Sequence, residues 1–124
     1  MLLNLSNHSS SKWQPEQIRV ARVTYGAIVD MQFPNIPPDW DEQQVKKLVE
    51  EYVNKCVQII NQTEDKVNAI HIMGELTFCY AFVKLMECCP FHCIASTTER
   101  VVTVNEKGEK VSAFNFCKFR NFSA

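Results

Sequence analysis

Three polar segments hold the side chains that could do chemistry. The first, Ser6-Asn7-His8-Ser9-Ser10-Ser11-Lys12, sets hydroxyls, an amide, an imidazole and an ammonium side by side. Hydroxyls and amides hydrogen-bond phosphate oxygens, lysine neutralises their charge, and histidine can move protons near neutral pH. The same serines and asparagine would also serve simply to cap a following helix. The second segment runs from His71 to Phe78 and places Gly74 between an apolar run and a helical pattern. A missing Cβ there would let a ligand approach the backbone. Thr77 adds a hydroxyl, and Glu75 could orient a ribose hydroxyl or accept a proton, although it equally suits a helix N-terminus. His71 reads as a hydrogen-bonded sheet residue and is placed outside the site.

The third segment, Ala95-Ser96-Thr97-Thr98-Glu99-Arg100, sets hydroxyls ahead of adjacent opposite charges. Arg100 can grip phosphate through paired hydrogen bonds. In a regular strand Ser96, Thr98 and Arg100 would share one side and Thr97 and Glu99 the other, so only a turn near Thr98 would aim them all at one ligand. The plain alternative is a threonine-rich strand with a surface ion pair.

The elements that must position these segments follow from periodicity. Leu2 to Leu5 is a short apolar strand, and Pro15 opens a helix in which Ile18, Ala21, Arg22 and Tyr25 share a face until Gly26. Ala27 to Met31 forms a second strand, and the Pro34-Asn35-Ile36-Pro37-Pro38 stretch excludes its regular continuation. Asp39 or Asp41 starts a long helix that carries Val45, Leu48, Val49, Tyr52, Val53, Cys56, Ile59 and Ile60 at three-four spacing. Val67 to Met73 is a third, mostly buried strand, and Glu75 to Cys88 a third helix, apolar on several faces and expected to be largely buried. Phe91 to Thr98 is a fourth strand that Val101 to Val104 continues or bends. Val111 to Phe119 returns antiparallel after the polar turn at Asn105 to Lys110.

That order predicts a single α/β domain over residues 1–124: a small Rossmann-like, three-layer fold with a parallel four-strand core in the order 2-1-3-4 and an antiparallel C-terminal hairpin. Strands one, three and four then lie side by side, which brings the three polar loops to one edge within ~10 Å. In open α/β sheets this edge is the usual ligand crevice.

Composition narrows the function. With 124 residues and a net charge of −1, the chain has no basic stripe for long DNA or RNA, and no apolar run nears the ~20 residues of a membrane span. The start carries no secretory leader, which predicts a cytoplasmic protein. The six cysteines lie in apolar elements and read as reduced core thiols. Cys88-Cys89-Pro90-Phe91-His92-Cys93 lacks a matched second ligand pair, so neither a metal nor another cofactor is assigned. Dinucleotide, Walker, nucleophile-elbow and zinc-protease signatures are absent.

Asn4-Leu5-Ser6-Asn7-His8, His71-Ile72-Met73-Gly74-Glu75 and Ala95-Ser96-Thr97-Thr98-Glu99-Arg100 together resemble the small CRISPR-associated Rossmann-like proteins related to ring nucleases, a likeness of layout and short motifs across most of the chain. The resemblance implies a homodimer that binds cyclic oligoadenylate, the second messenger of type III CRISPR defence, and cleaves it to end signalling. Metal-independent cleavage of this kind uses the substrate's own ribose 2′-hydroxyl against the adjacent phosphate. On that reading His8 serves in proton transfer, Lys12 and Arg100 stabilise phosphate charge, and Ser6, Asn7, Ser9, Ser10, Gly74, Glu75, Thr77, Ser96, Thr97, Thr98 and Glu99 line the ligand. Phe114, Phe116, Phe119 or Phe122 would supply apolar contacts between protomers. Two other readings stand beside it: a non-catalytic sensor or sequestering protein using the same crevice, and a nucleoside or nucleotide transferase with Glu75 or Glu99 as nucleophile.

Overall fold

Leu2, Leu3 and Leu5 are each 0 % exposed although successive strand residues point to opposite faces, so the strand that carries them must be covered on both sides. The computed structural model, which describes residues 1–123, builds this cover from a short list of elements. They are β1 (Leu2–Ser6), α1 (Pro15–Tyr25), β2 (Ile28–Gln32), α2 (Glu42–Asn61), β3 (Ala69–Met73), α3 (Leu76–Met86), β4 (His92–Val104) and β5 (Lys110–Asn121). On one face Leu3, Leu5, Ile70 and Ile72 meet Val49 and Val53 of α2 and Phe78 and Phe82 of α3. On the other, Leu2, Ala69 and Ile94 meet Trp13 and Ala21, with Ile18, Tyr25 and Phe119 packed around them.

The sheet is five-stranded in the order β2-β1-β3-β4-β5, so the expected 2-1-3-4 order is the one observed. β1 lies parallel to β2 and β3, β3 lies parallel to β4, and β5 returns antiparallel to β4. β1 is thus interior, and the connection after it crosses one face while that after β3 crosses the other, which places the topological switch between the carboxyl ends of β1 and β3.

Local chemistry explains where the helices begin. Pro15 sits in the first turn of α1, where its missing amide hydrogen costs nothing, and Gly26 stops the helix at φ 90°. The N-cap Gln14 contributes no side-chain capping bond, and Ser9 instead caps the single 3-10 turn at Ser10–Lys12. The first-segment serines therefore do not cap α1. Asp41, not Asp39, starts α2: its carboxylate accepts from the Gln43 and Gln44 amides at 3.0 Å each, and Gln44 Oε1 accepts from the Asp41 amide at 2.9 Å.

One expectation needs correction and one open alternative is settled. α3 is only half buried: Phe78, Cys79, Phe82 and Met86 are inside, but Leu76 is 83 % and Tyr80 69 % exposed, because α3 has one sheet face and one helix, α2, against which to pack. Of the two courses open to β4, continuation or a bend, it takes the first and runs as one strand through Val104. The irregularity falls between Thr97 and Thr98, paired with Lys118 and Phe116, so Cys117 is the extra residue of a bulge in β5. β3 pairs with β4 only from His92 to Ile94, and beyond Ser96 the β4–β5 pair continues as a two-stranded ribbon. Gln14 ties it down, donating from Nε2 to the Phe114 carbonyl at 3.2 Å and accepting from the Phe116 amide at 2.7 Å. Phe116 and Phe119 complete the monomer's own packing beside Trp13, while Phe114 and Phe122 stay exposed.

Gly74 has a packing role that the sequence did not suggest. A Cβ built there would lie 2.5 Å from the ring of Phe33, which itself packs edge-on against Phe78 with ring centroids 5.0 Å apart. The space left by the glycine is occupied by that ring. Gly74→Ala is expected to destabilise the fold by about 1–3 kcal/mol through forced displacement of Phe33, read as a lower urea midpoint; an unchanged midpoint would show that the ring moves aside freely.

Candidate functional site

Residues level with one another in a sheet point to the same face, so the register decides which polar side chains meet. On the α1 face, Asn4 of β1 stands level with Asp30 of β2 and His71 of β3. Asn4 and His71 are 1 % and 2 % exposed, in strands otherwise made of apolar residues. Burying an amide and an imidazole there is costly unless every polar atom finds a partner, and each does. Asn4 Nδ2 donates to Asp30 Oδ1 and to the His8 carbonyl, both at 2.8 Å. Asn4 Oδ1 accepts from Ser6 Oγ at 2.8 Å and faces His71 Nδ1 at 2.8 Å. His71 Nε2 faces Ser96 Oγ at 3.2 Å. Among the described residues no buried side-chain nitrogen or oxygen lacks a partner.

This chain of contacts fixes proton positions by elimination. Asp30 and the His8 carbonyl offer only lone pairs, so the Asn4 nitrogen must point at them and its oxygen at His71. That oxygen can only accept, so His71 carries its hydrogen on Nδ1 and, when neutral, presents a lone pair from Nε2 to Ser96. Burial pushes the His71 imidazole down to about 4, and positive charge on His8 adds to the effect. Partial burial works to raise the Asp30 carboxyl, but hydrogen bonds from Asn4, the Ser10 amide and hydroxyl, and Ser9 outweigh it and hold the group below its ordinary value. The rings of Trp13 and Phe119 close over His71, with centroids 5.1 and 5.7 Å from it.

Asp30 also shapes the first polar segment. Ser10 donates to it twice, from its amide at 3.0 Å and its hydroxyl at 2.7 Å, which folds Ser9–Lys12 back over the carboxyl end of β1. Between this loop and β2 lies a cavity of about 340 Å³ lined by Asn4, Ser6, Asn7, Ser9, Lys12 and Asp30. Lys12 is exposed and forms no ion pair among the described residues. His8 is exposed beside the same loop, its carbonyl turned inward to Asn4.

The other two segments divide. Ser96 reaches the site, its hydroxyl 3.1 Å from Met73 Sδ as well as 3.2 Å from His71. Thr97 is committed to the β5 backbone, accepting from the Lys118 amide at 3.2 Å and donating to the Lys118 carbonyl at 3.1 Å. Thr98, Glu99 and Arg100 stand on the ribbon opposite Phe116, Asn115 and Phe114. Arg100 lies four residues past Ser96, roughly 13 Å along the strand, and donates to Ser112 Oγ from Nη2 at 3.1 Å; it is not among the residues lining the Lys12 cavity. Glu75 and Thr77 satisfy each other: the Thr77 hydroxyl donates to Glu75 Oε2 at 2.6 Å, and the same carboxylate oxygen accepts from the Phe78 amide at 2.8 Å as the α3 N-cap. The Thr77 hydroxyl lowers the Glu75 carboxyl, burial opposes it, and the Phe78 and Thr77 amides add to the lowering. A carboxylate so engaged is a poor nucleophile, which weighs against Glu75 in that role. All six cysteines are free thiols, and burial pushes Cys56 and Cys93 up to about 12.

Sequence reasoning missed Asn4 and Asp30 as site residues and set His71 aside. The signal was present: each of Asn4 and His71 interrupts an apolar strand with one polar side chain. The chain belongs to the Uncharacterized protein MJ1673 family, whose model matches residues 1–120. No curated protein and no solved structure matches it.

The buried imidazole has a measurable effect on stability. His71 folds neutral with its value depressed from 6.5 to about 4, so the unfolded chain takes up a proton that the native state refuses. Stability should be full above pH ~6.5 and fall by roughly 3 kcal/mol as the pH drops towards about 4. Urea titrations across this range should show His71→Asn with a flatter profile; an equally steep profile in the variant would assign the loss to other groups.

Proposed function

For this member of the MJ1673 family, we propose that the carboxyl edge of a Rossmann-like sheet binds cyclic oligoadenylate and cleaves it independently of metal, the ribose 2′-hydroxyl attacking the adjacent phosphate. The observation that carries the reading is the cavity beside the switch point, where Lys12, without an ion-pair partner among the described residues, stands with amide and hydroxyl groups and the Asp30 carboxylate. Such a wall suits a phosphate and its ribose: the ammonium offsets charge, and Ser6, Asn7 and Ser9 offer hydrogen bonds. The resemblance of the three polar segments to small CRISPR-associated proteins suggests the adenylate and the CRISPR setting.

Size favours an oligonucleotide shared between copies. A volume of about 340 Å³ sits at the small end of ligand pockets, ~300–1,000 Å³, and suits one unit of a ring rather than the whole. A symmetric homodimer would supply a second cavity for the same ligand, with the exposed Phe114 and Phe122 as the apolar contacts still available to it. A ligand several nucleotides across is also the kind that touches both Lys12 and Arg100, which lies outside the cavity wall. A second reading, a sensor that holds the ring without cutting it, is favoured by Arg100 not lining the Lys12 cavity.

Incubation of the protein with cyclic tri-, tetra- and hexa-adenylate in chelator, followed by mass spectrometry, tests this directly. Linear products ending in 2′,3′-cyclic phosphate are expected, and Lys12→Ala should weaken binding by about tenfold, the ~1.4 kcal/mol of one charge-assisted contact. Bound but uncut ligand would select the sensor, and no binding of any ring would overturn both.

A further inference from the structure

The contact chain Asp30, Asn4, His71, Ser96 begins in the wall of the Lys12 cavity and ends at a half-buried hydroxyl on the sheet edge, outside that wall. A sheet interior needs no such chain, since apolar residues at these positions would pack without the cost of desolvating an amide and an imidazole. Its geometry is that of a hydroxyl paired with a base and a base held by an orienting group. The orienting group is Asn4, itself fixed by Asp30 and by the His8 carbonyl, so the imidazole has one tautomer and one direction.

We propose that Ser96 and His71 are the proton-accepting pair of the site, with Ser96 Oγ touching the ribose 2′-hydroxyl and His71 Nε2 receiving the proton behind it. This rests on the nucleotide reading above and moves the base away from His8. As the 2′-oxygen bonds to phosphorus, its proton passes to Ser96 Oγ while the Ser96 proton passes to His71 Nε2. The bond from phosphorus to the 5′-oxygen breaks, and that oxygen takes a proton from the imidazolium of His8. His71 ends protonated and His8 neutral, and exchange with water restores both. Ser96 is the catalytic residue here; Asn4 and Asp30 are positioning residues.

Position supports the assignment. Ser96 abuts Met73, which is level with Ser6, a wall of the Lys12 cavity. Two strand spacings, roughly 10 Å, separate Ser96 from Ser6, so a ligand anchored at Lys12 extends over the pair. The groups facing His71 are Asn4 with Asp30 behind it, Ser96, the charge of His8, and the uncharged rings of Trp13 and Phe119. Acid pH alone disarms this base.

The test measures cyclic tetra-adenylate binding by calorimetry and its single-turnover cleavage from about pH 8 down to about pH 4 in wild type, Ser96→Ala, Ser96→Thr and His71→Asn. Ser96→Ala and His71→Asn should bind within about threefold of wild type and cleave at least ~100-fold more slowly, with Ser96→Thr keeping more than about a tenth of the rate. On the acid side of the profile the wild-type rate should hold to about pH 5 and fall as His71 protonates near about 4; an acid-side fall centred at ~6.5 would indicate a free imidazole instead. Wild-type turnover in both Ser96→Ala and His71→Asn, with binding intact, overturns the pair and leaves the nucleotide reading standing. Wild type that binds without cleaving overturns the pair in favour of the sensor, and wild type that binds no ring removes both. If His71→Asn fails to fold by circular dichroism, Ser96→Ala decides alone.

Discussion

The hydrogen-bonded amide of Asn4 is the constraint on which the rest of this edge depends. It sits in the central strand with its side chain 1 % exposed, and a buried amide that leaves a donor or acceptor unmet costs ~1–3 kcal/mol. Four groups answer that demand: the Asp30 carboxylate, the His8 carbonyl, the Ser6 hydroxyl and the His71 imidazole. One of them belongs to β2, one to the loop after β1 and one to β3, so a single side chain sets the relation between three parts of the chain. Replacing Asn4 alone would strand partners on all sides, which is why such a network behaves as a unit rather than as separable bonds.

The fold was legible because its signals are local. The three-four spacing from Val45 to Ile60, the glycine after Tyr25, and the short β-rich run before Gly74 each announce an element within a few residues, and right-handed crossovers then leave few ways to order the strands. The site was legible only in part, for the opposite reason. Asn4 and Asp30 are 26 residues apart and Asn4 and His71 are 67 apart; their meeting depends on register, and a shift of one residue would turn each side chain to the other face. Gly74 misled because a glycine between strand and helix suits a ligand and an aromatic ring equally well, and here Phe33 takes the space. Arg100 stands outside the Lys12 cavity because β4 runs on past the sheet, so residues that follow Ser96 in sequence travel with the ribbon.

No helix is long and apolar enough to cross a membrane among the described residues, and α3 leaves Leu76 and Tyr80 on its outer side. The two faces of the sheet are therefore unlike. One is thick with the apolar packing of α2 and α3, while the other is thinly covered by α1 and holds all the polar chemistry. Stability and reactivity are segregated by face, and substitutions in the α2 layer should leave the chemistry of the opposite layer intact.

The Gln14 side chain has a consequence for how copies of this chain can meet. β5 is an edge strand, and an open edge invites another strand to add to it, by which route sheets grow into dimers, fibres and aggregates. By accepting from the Phe116 amide and donating to the Phe114 carbonyl, the Gln14 amide occupies the outward-facing groups that an incoming strand would need at that point. It acts as a one-residue false strand, a plug in the template. Sheet-to-sheet extension through residues 114–116 is blocked until Gln14 is displaced, so self-association that leaves this plug in place must proceed through side chains rather than through a shared ladder of backbone hydrogen bonds.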